Sequence, residues 1–466
     1  MFGLRRETWG WILALVLPVV VFFWLHDVAY TARVTMAITA GALALWILEP
    51  IPFAMTSMLV VAALPMAQAV SLDTMLSGFG APAVFLAVAG MMMARGVEET
   101  SLGKRVAFFL LSLLGNRKGG ILAGVILVPQ VLSFFIPAAA VRTTMFLPIA
   151  VSILALLNIP KEHPMARQLM MGVTIGCSIS GVGVLPAAIG NLVTVDIIQM
   201  YLHREVTYVD WLLVAGPLWL LLIVAAWIIL RVTMPAKMEA PTDLRQQVQA
   251  QLEELGPLTA ADKRAMAILL LTMLLWLFQP LHGWPLVIPA IVAVVLMALP
   301  KVGIADWLKL VKVDFGTILL LGSTLSLGRA LMESGAIDVV LRQIQNPAIE
   351  RLFVQPIVAV LAVAVLTQLV HKVTTNVSTA VICVVPIVIA IADDVGASAY
   401  MLAIVAGITS LLGFVFVVET IPSVIVQQAG YITQKELLRP GMVLTVVSLV
   451  LTVLVAMTWW VWMGYL

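Results

Sequence analysis

Charged residues and cysteines are scarce in this sequence. Only 11% of the 466 residues are charged, and just two are cysteines. A soluble domain carries about 25% charged residues, so the scarcity of charge excludes an ordinary soluble protein. The net charge of +2 provides no basic surface, and we predict no nucleic-acid partner. Cys177 and Cys383 lie in apolar stretches, where a thiol packs as a small hydrophobic group, and we predict no disulfide.

Motifs that carry catalytic chemistry are also missing. The sequence contains no Cys/His cluster with metal-ligand spacing, no nucleotide-binding loop and no credible Ser/His/Asp set. These absences argue against a primary pump and against a membrane hydrolase. We therefore predict a protein that is not an enzyme and has neither a cofactor nor a structural metal site.

Hydrophobic residues make up 62% of the chain. Many apolar runs approach the roughly 20 residues that span a bilayer, and the alternation typical of a β-barrel is absent. This pattern predicts an all-α polytopic protein with the lipid bilayer as its partner. The short basic segment 1–6 precedes an apolar run from Trp9, but no small-residue cleavage site follows, so we predict a retained first helix.

One long polar stretch, 236–263, divides the chain into the halves 1–235 and 264–466. If Arg5 and Arg6 are placed in the cytoplasm, most lysines and arginines between apolar segments fall on the same side, as the positive-inside rule requires. The stretch 236–263 is then a cytoplasmic connector and the N-terminus is cytoplasmic. The same placement predicts that the two halves have inverted orientations in the membrane.

Two apolar stretches, 119–157 and 353–391, are too long for one crossing and are interrupted by small, hydroxyl and charged residues. We predict a re-entrant helical hairpin within each of them. Irregular backbone at membrane depth is tolerated only where protein or a water-filled cavity covers it. Paired interruptions in corresponding halves indicate a substrate site near the middle of the membrane in a transporter built from repeats.

Several motifs resemble those of the divalent-anion/sodium symporter family, which carries dicarboxylates, citrate and sulfate. They are Trp46–Pro52 (W-I-L-E-P-I-P), Cys177–Gly183 (C-S-I-S-G-V-G), Gly430–Ile432 and Gly441–Met442. The resemblance covers nearly the whole chain. It implies scaffold helices, two hairpins and two broken helices, at 166–200 and 399–428, in a homodimer whose transport domains move like elevators.

The family's hairpin tips carry Ser-Asn-Thr and its unwound segments carry Thr-Pro-Pro-Asn, which hold the substrate carboxylates and two sodium ions. Here the first tip, Pro137–Ala140, lacks the serine and asparagine, and alanines offer no side-chain oxygen to sodium. The resemblance therefore implies an altered first sodium site, although sodium remains the alternative coupling ion. The resemblance implies that substrate is bound at Asn191, Thr375, Asn376, Val377, Thr420 and Pro422. We add Thr143, a neutral donor next to Arg142, to this predicted site.

Arg142 lies inside the first hairpin stretch, far from either end of its apolar run. A charge at that depth needs protein or water around it, and function is the default hypothesis. The planar guanidinium matches a carboxylate with two parallel hydrogen bonds. Arg142 therefore either binds a substrate carboxylate or supplies the charge that sodium supplies in relatives. The structural alternatives are a pair with Glu419 and a side chain that reaches the cytoplasmic face.

Glu419 stands in the run 411–425, which contains no other charged residue. It either carries a proton in each transport cycle or serves as a permanent counter-ion to Arg142 or Lys372. His371 and Lys372 precede the second tip, where Lys372 would add positive field over the site. Alternatively, both belong to the outer limb of the hairpin and reach external water.

These patterns predict secondary active transport of a small organic anion, most simply a C4-type dicarboxylate, across the bacterial inner membrane. We expect a sodium-independent mode, either anion exchange or proton co-transport. The alternatives are a sodium-coupled dicarboxylate or sulfate symporter and, in another class, an anion-sensing or channel-like membrane protein. Sulfate, sulfonates, tartrate and citrate also fit an arginine with hydroxyl groups, so the sequence leaves the substrate open.

Overall fold

The computed structural model describes residues 2–114, 119–236, 244–344, 347–374 and 376–465. Over these residues the chain is helical and contains no strand. Eight of the described helices are long and apolar enough to cross a membrane, or nine spans if a bent pair counts as one. The predicted all-α fold is thereby confirmed for the described residues, and the spanning candidates agree with a polytopic membrane protein.

The helices before the polar connector include four spanning candidates and several shorter apolar helices. Their bounds are α1 (Phe2–Trp24), α2 (Tyr30–Leu48), α3 (Phe53–Met66), α4 (Leu72–Ser77), α5 (Pro82–Glu98), α6 (Leu102–Leu114), α7 (Gly120–Leu132), α8 (Ala139–Leu156), α9 (Pro164–Ile179), α10 (Ile189–Leu202) and α11 (Tyr208–Thr233).

The connector contains one described helix, and the helices of the second half follow it. The bounds are α12 (Leu244–Glu254), α13 (Ala260–Leu277), α14 (Gln279–His282), α15 (Val287–Ala298), α16 (Trp307–Leu310), α17 (Phe315–Glu333), α18 (Ala336–Ile344), α19 (Pro347–Val354), α20 (Pro356–Thr374), α21 (Val377–Asp394), α22 (Ala399–Thr409), α23 (Ile421–Gln428) and α24 (Gln434–Val455).

Three helices, α11, α13 and α24, begin at capping boxes. In each, a threonine side chain accepts a hydrogen bond from the backbone three residues later, and an acidic side chain there bonds back to the threonine N–H. This exchange satisfies two backbone donors that a helix start leaves free. The pairs are Thr207–Asp210, Thr259–Asp262 and Thr433–Glu436.

Asp262 also connects the connector region to the first half. Its carboxylate accepts hydrogen bonds from the N–H and the hydroxyl of Ser101, both at 2.9 Å. Burial raises the pKa of the Asp262 carboxyl, but the hydrogen bonds from Thr259 and Ser101 outweigh burial and hold the pKa below its usual range. The carboxylate is therefore ionised and binds the start of α13 to the start of α6.

Two helix pairs and two interrupted helices form the centre of the protein. The helices α7 and α8 flank the break 133–138, and α20 and α21 flank the break 375–376. The pairs α9/α10 and α22/α23 flank longer segments, 180–188 and 410–420, in which only a short 3-10 turn is helical. α8 packs against α9 and α23, whereas α21 packs against α22 and α10, so each half contributes to the surroundings of the other.

Candidate functional site

Four helices begin at the central breaks: α8, α10, α21 and α23. A helix N-terminus carries partial positive charge and free backbone N–H groups, which favour an anion. The N-cap residues Ala138, Ala188 and Asn376 are half-buried and Thr420 is 8% exposed, although the surrounding helices are largely buried. The breaks therefore bring four positively polarised helix ends into the centre of an apolar protein.

The first unwound segment, 180–188, keeps its carbonyl groups satisfied through side chains. Asn191 donates to the carbonyls of Gly181 at 2.8 Å and Val184 at 3.2 Å. The indole N–H of Trp211 donates to the Val182 carbonyl at 3.0 Å. Backbone carbonyls removed from water need such partners, so these side chains allow the helix to be interrupted at membrane depth.

Arg142 is fully buried on the first turn of α8. Its Nε donates to the Ser180 hydroxyl at 3.0 Å, and its two terminal nitrogens donate to the carbonyls of Ile136 and Ala187. Neither structural alternative from the sequence is found: the side chain does not reach solvent, and it does not pair with Glu419. Three of its five N–H donors are used on the protein itself.

The second unwound segment, 410–420, uses a different set of side chains. The Gln434 amide donates to the Val415 carbonyl and accepts from the Val417 N–H, both at 2.9 Å. Glu419 Oε2 accepts from the Val415 N–H at 3.1 Å. His371 Nε2 lies 3.1 Å from the Glu419 carbonyl oxygen and, because a carbonyl only accepts, donates to it.

Three polar atoms near this segment are buried and lack a hydrogen-bond partner among the described residues. They are His371 Nδ1, Lys372 Nζ and Glu419 Oε1. With Nε2 donating, Nδ1 of a neutral imidazole is an acceptor without a donor. His371 is 1% exposed, so its predicted alternative position in external water is not observed. Buried polar groups without a partner are uncommon in folded proteins, so these three atoms are candidates for a role in the site.

The two tips begin their second helices differently. Asn376 caps α21, because its Oδ1 accepts from the N–H groups of Ser378 at 2.9 Å and Thr379 at 3.3 Å. Ala138 precedes α8 with no side-chain cap. The first tip therefore leaves helix N–H groups without a side-chain partner. Thr375, a predicted substrate ligand, lies outside the described residues.

Hydroxyl groups join the broken helices of the two halves. Thr420 caps α23 and lies 2.7 Å from the Ser423 hydroxyl and 3.2 Å from that of Ser178 at the end of α9. Pro422 is buried in the first turn of α23. Thr143 is buried and donates to the carbonyl of its own helix at Ala139, so its hydroxyl is engaged within α8.

Val377 joins the second tip to α10. A methyl group added at Gly190 would overlap Val377 Cγ1, so only glycine permits this approach. We expect Gly190→Ala to displace the tip and lower stability by about 1–3 kcal/mol, the usual cost of overpacking. The double variant Gly190→Ala/Val377→Ala should regain much of the loss, because it removes the overlapping atom.

Thermal unfolding and anion uptake of both variants test this contact. Gly216→Ala is the matched control, since an added methyl at Gly216 meets no atom within 4 Å. If the stability losses of the two substitutions simply add in the double variant, a methyl group at Gly190 does not clash with Val377.

Sequence reasoning did not assign site roles to Ser180, Trp211 or Gln434. Ser180 lies in the motif 177–183, so the sequence carried a signal for it. Trp211 and Gln434 left none, because an indole in an apolar helix and a polar residue at a helix start are ordinary.

The family described as the sodium:sulfate symporter transmembrane region matches residues 5–466 of the chain. A protein named "Membrane protein" from Cupriavidus necator is 25% identical, covering 92% of this chain and 87% of its own length. The sodium-dependent dicarboxylate transporter SdcS of Staphylococcus saprophyticus is 25% identical over 90% of this chain and 84% of its own length. SdcS of Staphylococcus aureus is 24% identical over 95% and 88%, respectively.

The family match spans almost the entire chain, and the relatives align over most of their own lengths. The family likeness and the apolar helices agree on a multi-pass membrane transporter of small anions. The chain belongs to the sodium:sulfate symporter family, the divalent-anion/sodium symporters, as its sequence motifs indicated.

Proposed function

We propose that the protein is a secondary active transporter of a small organic dianion, most simply a C4-type dicarboxylate, in the bacterial inner membrane. The observation that carries this proposal is the set of four helix N-termini at the central breaks. Together they favour a bound anion without a positively charged side chain beside each of its carboxylates. Relatives named as dicarboxylate transporters support the same class of substrate.

The proposed anion site lies between the two tips and the two unwound segments. Asn376, Val377 and Thr420, with Thr375, would line it from the second half, and the uncapped start of α8 would line it from the first. Both amide hydrogens of Asn191 already bind carbonyl groups. We therefore assign Asn191 the role of holding the unwound segment in shape rather than that of a direct ligand.

The proposed architecture consists of two inverted repeats, 1–235 and 264–466, joined by the cytoplasmic connector 236–263. Both halves contain a helix pair around a short break followed by an interrupted helix, and these elements pack crosswise. We propose that these central elements form a transport domain that moves like an elevator against a scaffold in a homodimer. The N-terminus would face the cytoplasm.

For coupling, we propose a mode that does not depend on sodium. The unpartnered Glu419 Oε1 is in a position to take up a proton. Lys372 interacts electrostatically with Glu419 and provides a nearby positive charge. Proton co-transport through Glu419 and exchange of one anion for another are both compatible with this arrangement. A sodium-coupled symporter is the second candidate, because the named relatives are sodium-dependent dicarboxylate transporters.

Uptake of labelled succinate into proteoliposomes tests the proposal. We expect uptake to be driven by an inward proton gradient or by internal succinate, with no requirement for sodium. Uptake that strictly requires a sodium gradient would favour the second candidate. Saturable succinate binding without flux would instead indicate an anion sensor, and flux without uphill accumulation would indicate a channel-like protein.

A further inference from the structure

The Arg142 guanidinium lies among neutral oxygen atoms from two separate segments of the first half. The acceptors are the Ile136 carbonyl in the α7–α8 break, and the Ser180 hydroxyl and Ala187 carbonyl in the first unwound segment. The Ser180 hydroxyl donates its own hydrogen to the Cys177 carbonyl at 2.7 Å. Its oxygen therefore faces the guanidinium as an acceptor, like the two carbonyls.

No carboxylate balances this charge within the part of the chain that the structure describes. None of the ion pairs found there involves Arg142, whose side chain is fully buried. A buried ion is costly unless polar groups replace its lost water. Converging carbonyl and hydroxyl oxygens are the ligands by which proteins hold hard cations. Here the cation at their centre is part of the chain.

We propose that Arg142 is a tethered cation: its guanidinium fills an oxygen-lined site that would otherwise bind a free monovalent cation. The positive charge then remains in place through the transport cycle, and the first half needs no sodium ion to attract the anion. Arg142 acts as a positioning residue, since it joins the first tip to the unwound segment. The consequence for coupling rests on the proposed transport function, whereas the cation site itself does not.

Removal of the guanidinium tests the proposal directly. Arg142→Ala leaves the three oxygens and an empty volume, so we expect a lower Tm than in the wild type. Millimolar guanidinium should raise the Tm of this variant increasingly with concentration, and sodium should do so more weakly, because a ligand of the folded state stabilises it. Choline at the same ionic strength should have no effect, and the gain with guanidinium or sodium should exceed any gain that the wild type shows.

Two variants serve as controls in the same thermal-unfolding series. Arg142→Met fills the volume with an uncharged side chain and should respond to guanidinium and sodium no more than the wild type does. Arg231→Ala removes an exposed arginine that lies over Trp227, and it should respond as the wild type does. A folded Arg142→Ala variant without any cation response, or an equal response in Arg142→Met, would overturn the proposal.

Arg142→Lys keeps the proposal testable if Arg142→Ala does not fold. A lysine ammonium is a positive charge with three donors, so the lysine variant should give a higher Tm, or more folded protein, than Arg142→Met. Equal or better stability of Arg142→Met would show that packing, and not charge, is needed there. These measurements use purified protein without anion, so a failure of the transport proposal in proteoliposomes would leave their outcome unaffected.

Discussion

Replacement of Glu419 by glutamine is expected to abolish anion accumulation driven by a proton gradient while leaving anion exchange intact. Glutamine has nearly the same shape, and its carbonyl oxygen can still accept from the Val415 N–H, as Glu419 Oε2 does. The unwound segment should therefore keep its geometry. Glutamine cannot take up a proton, so the variant loses only the group that would couple the gradient to the anion.

The size of this effect follows from the gradient. One pH unit supplies about 1.4 kcal/mol per coupled proton, which corresponds to an accumulation ratio of about ten. We expect this ratio to fall to about one in Glu419→Gln. Succinate uptake and counterflow should be measured in the same proteoliposomes, with the exposed Glu162→Gln as the control. Unchanged proton-driven accumulation would show that Glu419 is only a structural counter-ion.

Asn191→Leu is expected to lower stability strongly and to abolish transport. The side chain is fully buried, and its amide donates hydrogen bonds to the Gly181 and Val184 carbonyls. Leucine has the same branched shape but is bulkier, and it leaves the Gly181 carbonyl without its donor, at a cost of about 1–3 kcal/mol. The Val184 carbonyl loses the amide but keeps the Ala187 N–H. The interruption between α9 and α10 should then lose its defined shape, since water is not available to replace the amide.

Thr194→Val is the matched control for this prediction. Thr194 is equally buried on α10, and its hydroxyl bonds only to the Gly190 carbonyl of the same helix. The Gly190 carbonyl also accepts a backbone hydrogen bond within the helix, so removal of the Thr194 hydroxyl should change stability little. Thermal unfolding in detergent and succinate uptake give the two readouts. Similar behaviour of Asn191→Leu and Thr194→Val would show that Asn191 does not hold the unwound segment in shape.

The scarcity of charge and the length of the apolar runs were enough to predict a polytopic helical protein. Both signals depend only on transfer of side chains from water to lipid, which is a local property of the chain. Motif order identified the family, since motifs are also local in the chain and need no knowledge of the folded structure. The interrupted stretches also marked where α8 and α21 begin, since small and polar residues there differ from their apolar surroundings.

The partner of each polar residue was not predictable in this way. The sequence left Arg142 with four alternatives, and the folded chain surrounds it with Ile136, Ser180 and Ala187. Pairing with Glu419 was reasonable from charge alone, but the two residues serve different unwound segments. Ser180 is 38 positions from Arg142, and the contact requires α8 to pack against the end of α9.

The sequence by itself therefore determined that this protein lies in a membrane and which family it belongs to, because hydrophobicity and motif order are properties of the linear chain. Tertiary structure alone decided which oxygen atoms surround Arg142 and which side chains satisfy the backbone between the broken helices. The physical reason is that hydrogen bonds form at about 3 Å, a distance reached only after distant segments pack together. Burial without water then makes each of those bonds necessary.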